Sequence, residues 1–232
     1  MTERARVGWV VDAQVDFMDP EGRLYVRDLG DDRDPGAKMI VGVLSEVVDW
    51  MKEYCEVVVY TGDWHSYDDA EIDPANPDPG KGTYPPHCMG LSDDPAEREG
   101  AFIVSAIRPA DPLILEMGAS EEEARNLAGR AVSEGRSIFI HKNRFDVFEG
   151  NRATEAFLDG LSEALGRPLE LFVVGVARDV CVTGAVDGMQ ARGLQVRVVR
   201  DAVWGLGLEP EAVTLARWAE KGEILTADQL PR

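Results

Sequence analysis

Cys181 is the residue of this 232-residue chain whose type and position most suggest covalent chemistry. It follows the most apolar run of the sequence, LELFVVGVA at 169–177, and opens a segment with a helical pattern. An ordinary thiol, with a pKa of about 8.5, is mostly protonated at neutral pH, but a helix N-terminus or a nearby cation lowers that pKa. Cys181 is therefore a candidate nucleophile, although a cysteine in such a place is as often a small buried core residue.

Asp12 and Lys142 are a candidate acid–base group and a candidate cation for that thiol. Asp12 directly follows the apolar run VGWVV, and Lys142 ends the run SIFIHK. A carboxylate in such a place is costly to bury without a partner. Asp12 could accept the thiol proton and later return it to a leaving group. Lys142 could lower the thiol pKa, or it could only mark a strand that leaves the core.

Asp63, His65 and His87 form a second candidate set, of the kind that holds a metal ion. Asp63 and His65 lie two apart in GDWH, so on an extended segment their side chains point to the same side. His87 would have to return across a Pro-rich segment. Two imidazoles and a carboxylate suit zinc, iron or manganese and leave positions open for water or substrate. The alternative is a surface loop with solvated histidines. Asp69 is either an ordinary loop acid or a further residue of the metal site, which binds the ion or one of its ligands.

Aromatic side chains flank these candidates. Phe17, Trp64 and Tyr84 lie close to them in sequence and could wall a planar ligand, although core packing is the commoner use of such residues. His141 follows the apolar run SIFI and is expected to pack or hydrogen-bond structurally. Cys88, beside His87, is expected to be buried, and the alternative is a further role at the metal site.

The elements that must position these residues alternate between two periodicities. β-Branched apolar runs predict strands, and segments with apolar residues three and four apart predict helices between them. The helix predicted at 36–54 has one apolar face, on which Met39, Val43, Val47 and Met51 recur every four residues with Ile40, Leu44 and Val48 beside them. The predicted strands are 7–12, 56–63, 137–142, 169–177, 194–202 and 223–227.

This alternation predicts an α/β fold, a three-layer α/β/α arrangement with a mainly parallel sheet of about six strands. No break in composition divides the chain, so a single domain over 1–232 is expected. The segment 66–112 lacks periodicity and holds eight of the thirteen prolines, which predicts a functional loop. Ligands of open α/β sheets bind at the carboxyl ends of the strands, where Asp12, Asp63, Lys142 and Cys181 lie.

Composition excludes several classes of partner. The chain has 24 Lys and Arg against 43 Asp and Glu, a net charge of −19 that argues against nucleic-acid or anionic-membrane binding. No apolar run approaches the ~20 residues of a membrane-spanning helix. The N-terminus does not have the pattern of a signal peptide. Three widely spaced cysteines do not form a disulfide framework, so a cytoplasmic setting is expected.

Five motifs together resemble the isochorismatase-like cysteine hydrolase superfamily, and within it the metal-binding nicotinamidase branch. They occur in the order of that family and span about residues 7–205. The motifs are DAQVDF at 12–17, GDWH at 62–65, GTYPPHC at 82–88, Lys142, and GVARDVCV at 175–182.

The resemblance implies a role for each candidate. It implies a catalytic triad of Asp12, Lys142 and Cys181 and a cis peptide bond between Val176 and Ala177. It further implies an oxyanion hole from the amides of Ala177 and Cys181, a substrate pocket with Phe17 and Tyr84, and one divalent metal (Zn, Fe or Mn) on Asp63, His65 and His87.

The implied function is that of a metal-containing cysteine amidohydrolase, foremost a nicotinamidase of NAD salvage. Nicotinamide and water would give nicotinate and ammonia through a Cys181 thioester, in a homo-oligomer. The alternatives are hydrolysis of another small amide or of isochorismate, whose chemistry does not need Cys181, and a non-catalytic binding protein. Arg144 lies in a segment that departs from the usual nicotinamidase pattern, and it could meet a substrate carboxylate or lie at the surface.

Overall fold

A computed structural model describes residues 3–231, which form seven parallel strands with helices on both faces of the sheet. The predicted fold class is therefore confirmed. All six predicted strands are present, and the seventh is the three-residue β3, which follows the Pro-rich loop and pairs with β4. The strands are β1 Ala5–Val11, β2 Val57–Asp63, β3 Leu113–Leu115, β4 Ile138–Lys142, β5 Leu169–Val176, β6 Gln195–Trp204 and β7 Glu223–Leu225, in the order β3-β4-β2-β1-β5-β6-β7.

Eight α-helices lie within the described residues, and the longer ones cover the two faces of the sheet. Helix α2 packs on one face, against a core that includes Tyr60 and Phe172. Helices α4, α6, α7 and α8 cover the other face, over a core that includes Trp9 and Phe157. The helices are α1 Val15–Met18, α2 Val41–Tyr54, α3 Pro95–Arg98, α4 Glu121–Glu134, α5 Val147–Gly150, α6 Thr154–Leu165, α7 Thr183–Ala191 and α8 Glu211–Ala219.

The buried face of α2 agrees with the predicted one except near its start. Its buried residues are Leu44, Val47, Val48 and Met51, whereas Met39 is 57% exposed. The helix begins only at Val41, and a 3₁₀ turn precedes it. Because a 3₁₀ turn has three residues per turn, a spacing of four does not keep Met39 on the face that α2 buries.

Helix α4 has the ends that its sequence predicts. The hydroxyl of Ser120 accepts a hydrogen bond from Glu123 N at 3.2 Å, and the Glu123 carboxylate accepts one from Ser120 N at 2.7 Å. Gly135, at φ 63°, ends the helix in the left-handed region that favours glycine. No described helix is long and apolar enough to cross a membrane.

The carboxyl ends of the central strands meet at one edge of the sheet. Strand β1 lies between β2 and β5, and β4 lies next to β2. The register places Asp63 beside Lys142 and Val11 beside Gly175. The Pro-rich loop 66–112 folds over this edge and forms an isolated bridge between Gln14 and Ile103. Four chain segments therefore deliver side chains to one place.

Candidate active site

Asp12 is a fully buried carboxylate at the end of β1. Its backbone is in the left-handed region, at φ 46°. Thr61 fixes it by two contacts, since Asp12 N donates to Thr61 O at 3.2 Å and the Thr61 hydroxyl donates to Asp12 Oδ1 at 2.7 Å. Burial raises the pKa of Asp12, although Lys142 opposes the shift. A carboxylate with a raised pKa is better matched to accepting a thiol proton than an ordinary one.

Lys142 is a buried ammonium group shared between two carboxylates. Its Nζ lies 2.9 Å from Asp12 Oδ2, is in direct contact with Asp63 Oδ1, and donates to Arg144 O at 3.1 Å. Burial alone would lower the pKa of Lys142, but the charges of Asp12 and Asp63 outweigh it and raise the pKa well above its ordinary value. Lys142 is therefore a fixed positive charge.

Cys181 lies in a π-helical turn, Arg178–Val182, which leads into α7. Its Sγ is 4.0 Å from Lys142 Nζ, and its sulfur and the nearest carboxylate oxygens of Asp12 and Asp63 all lie within 4.8 Å of one another. Burial raises the pKa of Cys181 well above its ordinary value. Lys142 opposes that shift, and the two carboxylates add to it.

The predicted cation is thus beside the sulfur, but burial, together with the charges of Asp12 and Asp63, outweighs it and raises the thiol pKa overall. The resting group is a thiol, which must transfer its proton as it attacks. Asp12, a nearby carboxylate with a raised pKa, is a suitable acceptor.

The backbone before Cys181 has the expected cis peptide bond between Val176 and Ala177. The carbonyl of Ala177 accepts hydrogen bonds from Val180 N and Val182 N, both at 3.0 Å. The buried carboxylate of Asp179 accepts from Leu206 N at 2.9 Å and Leu208 N at 2.7 Å, which ties the π-helical turn to the segment after β6. The sulfur is therefore carried on a braced turn.

Asp63, His65 and His87 converge on one point beside this cluster. Asp63 Oδ2 lies 3.8 Å from His65 Nε2 and 3.7 Å from His87 Nε2. The Nδ1 atoms of both rings are already engaged, since His65 Nδ1 lies 3.2 Å from Asp69 Oδ2 and His87 Nδ1 donates to Pro85 O at 2.7 Å. Both Nε2 atoms are left to face Asp63, and His65 Nε2 is buried with no hydrogen-bond partner among residues 3–231.

This donor set fits a divalent metal ion. The three ligand atoms lie within 4.8 Å of one another, and the outer contacts at Nδ1 orient the rings as in many metal sites. Burial alone would lower the pKa of His65, but the carboxylates of Asp63 and Asp69 outweigh it and raise the pKa to about 9. An incoming metal must therefore displace a proton from His65.

Asp63 connects the two clusters. Its Oδ1 contacts Lys142, and its Oδ2 faces the two imidazoles. Burial alone would raise the pKa of Asp63, but Lys142 and the histidines outweigh it and hold the pKa well below its ordinary value. The cluster of Asp12, Lys142 and Cys181, called the thiol cluster below, therefore forms one continuous network with the candidate metal centre.

Sequence reasoning missed two buried polar residues at this edge. Gln14 accepts from Asp63 N at 2.8 Å and donates to Asp63 O at 2.7 Å, so it clamps the backbone of a candidate ligand. Glu71 accepts from Phe145 N at 3.2 Å, and burial, with Asp63 nearby, raises its pKa. The position of Gln14, two residues after Asp12, was a usable signal, whereas nothing in the loop sequence distinguishes Glu71 from other loop acids.

The aromatic residues divide between the site and the core. Phe17 and Tyr84 flank His87, with ring centroids 5.4 and 6.0 Å away. Trp64 instead stacks on His141 at 4.0 Å with nearly parallel rings. His141 Nδ1 also lies 3.0 Å from Glu116 Oε2, which agrees with the structural role expected of it.

Part of the chain is similar to a known protein family. Residues 115–229 match the family model described as the Isochorismatase domain. This segment includes Lys142 and Cys181, whereas Asp12 and the candidate metal ligands precede it. A search of curated proteins gave no match.

Solved structures match nearly the whole chain at low sequence identity. N-carbamoylsarcosine amidase from Thermoplasma acidophilum is 21% identical, with a TM-score of 0.65 over 98% of this chain and 99% of that one. Pyrazinamidase of Pyrococcus horikoshii in complex with zinc is 23% identical, with 0.64 over 95% and 98%. PnC1 from L. infantum in complex with nicotinate is 19% identical, with 0.67 over 100% and 99%. Residues 115–229 are thus similar to the Isochorismatase domain family, and the chain as a whole has the fold of the isochorismatase-like hydrolases.

Proposed function

We propose that this protein is a cysteine amidohydrolase that cleaves a small carboxamide through a thioester on Cys181. The observation that carries the proposal is the buried cluster of Asp12, Lys142 and Cys181 at the carboxyl edge of the sheet. Apolar residues of similar volume would stabilise the core at least as well as a fully buried ammonium group between two carboxylates. Stability of the fold therefore does not explain why this group lies beside a thiol. Three charged or reactive groups from three strand ends are explained together by nucleophilic catalysis.

The first half-reaction forms the thioester. Asp12 accepts the thiol proton as the sulfur attacks the amide carbon, and Lys142 stabilises the negative charge that develops nearby. The amides of Ala177 and Cys181 are proposed to receive the oxyanion, a contribution of about 10²–10³ in rate per donor. The carbon–nitrogen bond then breaks, and the proton held by Asp12 leaves with ammonia.

The second half-reaction releases the acid. Water attacks the thioester carbon while Asp12 accepts a proton from it, and the carbon–sulfur bond breaks. Asp12 passes that proton to the departing sulfur, so that the carboxylic acid is released and Cys181 returns to its resting thiol. Asp12 acts alternately as base and acid, which its raised pKa favours.

Asp63, His65 and His87 are proposed to hold one divalent ion, with zinc, iron and manganese as candidates. When bound, the ion would offer a Lewis-acid site for a ring nitrogen or a water molecule of the substrate complex. Phe17 and Tyr84 flank His87 and would pack against the faces or edges of a planar ring. The chain's own residues would thus orient the amide towards Cys181.

Nicotinamide is the first substrate to test, since its ring nitrogen suits the candidate metal centre and its planar ring suits the aromatic side chains beside His87. PnC1 of L. infantum, which has the same fold, was solved with nicotinate, the acid that this hydrolysis yields. The second candidate is a small amide that bears a carboxylate. The half-buried Arg144 favours this candidate, because its guanidinium has no carboxylate partner within residues 3–231. Arg144 lies two residues after Lys142, whose Nζ donates a hydrogen bond to Arg144 O. Isochorismate is disfavoured, because its hydrolysis would leave Cys181 without a role.

An ammonia-release assay on zinc-, iron- or manganese-loaded protein tests the proposal. We expect nicotinamide or a related small amide to be hydrolysed, and Cys181→Ala to abolish turnover while the protein stays folded. Cys55→Ala, a cysteine outside the site, is the matched control and should retain activity. Near-normal hydrolysis by Cys181→Ala would remove the thioester from the mechanism. An absence of hydrolysis across neutral and carboxylate-bearing amides would leave the binding-protein alternative.

A further inference from the structure

Alternate side chains of the segment that follows β1 reach three different parts of the site. Asp12 faces Lys142, and Gln14 clamps the backbone of Asp63. Asp16, two residues further on, is buried and does not face the thiol cluster directly. Its contacts lead instead to the loop that carries His87.

Asp16 binds the backbone immediately after His87. Its Oδ2 accepts a hydrogen bond from Cys88 N at 2.6 Å, and its Oδ1 accepts one from Arg23 N at 3.1 Å. A carboxylate that accepts from backbone N–H groups makes stronger hydrogen bonds than a neutral acceptor. Cys88 is in the left-handed region at φ 45°, an unusual conformation for a non-glycine residue. The bond from Asp16 is therefore placed where it can hold a backbone conformation that Cys88 does not prefer.

Cys88 also holds the other candidate histidine. Its carbonyl accepts a hydrogen bond from His65 N at 2.9 Å. Asp16 thus fixes a residue that is covalently next to His87 and hydrogen-bonded to His65. The positions of both imidazoles therefore depend on the position of the Cys88 backbone, although the two histidines lie more than twenty residues apart in sequence.

The packing around Asp16 leaves its carboxylate little freedom. A Cβ atom added at Gly100 would lie 2.1 Å from Asp16 Oδ2, so the absence of a side chain there makes room for the carboxylate. Gly100 also has a backbone conformation that alanine can adopt, since its φ is not in the left-handed region. The site of Asp16 can therefore be disturbed without altering Asp16 itself.

We propose that Asp16 is a positioning residue for the metal centre, which holds His65 and His87 in ligating geometry through the backbone of Cys88. Asp16 does not touch the metal or the substrate in this arrangement. It sets how well the donor atoms are placed before a metal arrives, and so contributes to metal affinity rather than to the chemistry at Cys181. The inference rests on the metal centre of the proposed function, but not on its amidase activity.

The test compares Asp16→Asn with wild type in a zinc-affinity titration against a chromophoric chelator. Whichever way the Asn amide turns, one of the two backbone N–H groups faces an NH₂ group instead of a carboxylate oxygen. We expect zinc to bind about 10- to 100-fold more weakly, the effect typical of losing an outer partner of a ligand, and the visible spectrum of the cobalt-loaded protein to change. Alkylation of Cys181 in metal-free protein should remain at the wild-type rate.

Asp19→Asn is the matched control, because it removes the same charge from the same segment, and among the described residues the Asp19 carboxylate accepts a hydrogen bond only from the exposed Glu21 N. Gly100→Ala is the second variant, which should weaken zinc binding even if Asp16→Asn does not fold. Wild-type zinc affinity and an unchanged cobalt spectrum in a folded Asp16→Asn or Gly100→Ala protein would overturn the proposal. A wild-type protein that binds zinc but hydrolyses no amide would contradict the proposed activity alone, whereas one that binds no divalent metal would overturn this inference.

Discussion

At the scale of single residues, Asp12 is the group on which the proposed mechanism depends twice. It is fully buried, and its Oδ2 lies 2.9 Å from Lys142 Nζ. A carboxylate oxygen of Asp12 also lies within 4.8 Å of the Cys181 sulfur. Lys142 cannot act as the base, since two carboxylates raise its pKa and keep it protonated. Proton transfer in both half-reactions therefore falls to Asp12.

The variant Asp12→Asn distinguishes a role of Asp12 in proton transfer from a role in stabilising the fold. Asparagine tolerates a positive φ and keeps an oxygen for the Thr61 hydroxyl, so the variant should fold. We expect amide hydrolysis to fall by about 10²–10⁴-fold, the usual contribution of a general acid–base group. Alkylation of Cys181 should continue, with its pH profile shifted to lower pH, because the negative charge of Asp12 raises the thiol pKa.

Measurement of both rates on the same metal-loaded preparation checks this expectation. Hydrolysis within tenfold of wild type would assign the proton transfer to another group. An alkylation profile shifted to higher pH would contradict the electrostatic account of the thiol.

The sequence predicted the residues of the site better than their contacts. Asp12, Lys142 and Cys181 could be found because each ends or follows an apolar strand, and parallel strands bring their carboxyl ends together. The roles of Glu71 and Asp16 could not be found in this way. Their contacts run to Phe145 and Cys88, which lie more than seventy residues away, and no local pattern encodes such a distance.

At the scale of elements, the site depends on how closely β5 approaches β1. Gly175, near the end of β5, is at φ 117°, and a Cβ atom there would lie 2.0 Å from Val11 O. Val11 directly precedes Asp12, and Gly175 precedes the turn that carries Cys181. The absence of a side chain therefore lets the base and the nucleophile come together from neighbouring strands.

Gly175→Ala should disturb stability and site together. The strained backbone alone costs about 1–3 kcal/mol of the free energy of unfolding, and the overlap with Val11 adds to that cost. Gly129→Ala is the control, because its Cβ would meet nothing within 4 Å in α4, and alanine there should add about 0.5–1 kcal/mol. Urea unfolding of both variants gives the comparison, and a Gly175→Ala protein as stable as wild type would contradict the close approach.

The alternation of strands and helices was predictable, whereas the irregular turns were not. Strong apolar runs located six strands, but β3 has only three residues and pairs only with β4. The predicted burial of Met39 was wrong because a 3₁₀ turn precedes α2. The π-helical turn around Cys181 has no signature in hydrophobic spacing, since it is specified by contacts such as those of Asp179 with the segment after β6.

At the scale of the whole molecule, a net charge of −19 sets the field through which a substrate must approach. At low ionic strength the Debye length is about 30 Å, comparable to the size of the domain, and it falls to about 8 Å near physiological salt. A uniformly acidic surface repels anions and leaves neutral molecules unaffected. The two candidate substrate classes, neutral amides and amides bearing a carboxylate, therefore differ in how their capture depends on salt.

We expect kcat/KM for neutral nicotinamide to change by less than about twofold between 0.01 and 0.3 M salt, because a neutral molecule has no net charge to be screened. For an amide that bears a carboxylate, kcat/KM should rise with salt as repulsion by the acidic surface is screened. Arg144→Gln should raise KM for the anionic amide alone, if that guanidinium receives the carboxylate. Steady-state rates of ammonia release with both substrates at several salt concentrations supply the measurement. A kcat/KM that falls with salt for the anionic amide would mean that a local positive site, rather than the net charge, governs its capture, and would make carboxylate-bearing amides the substrate class to pursue.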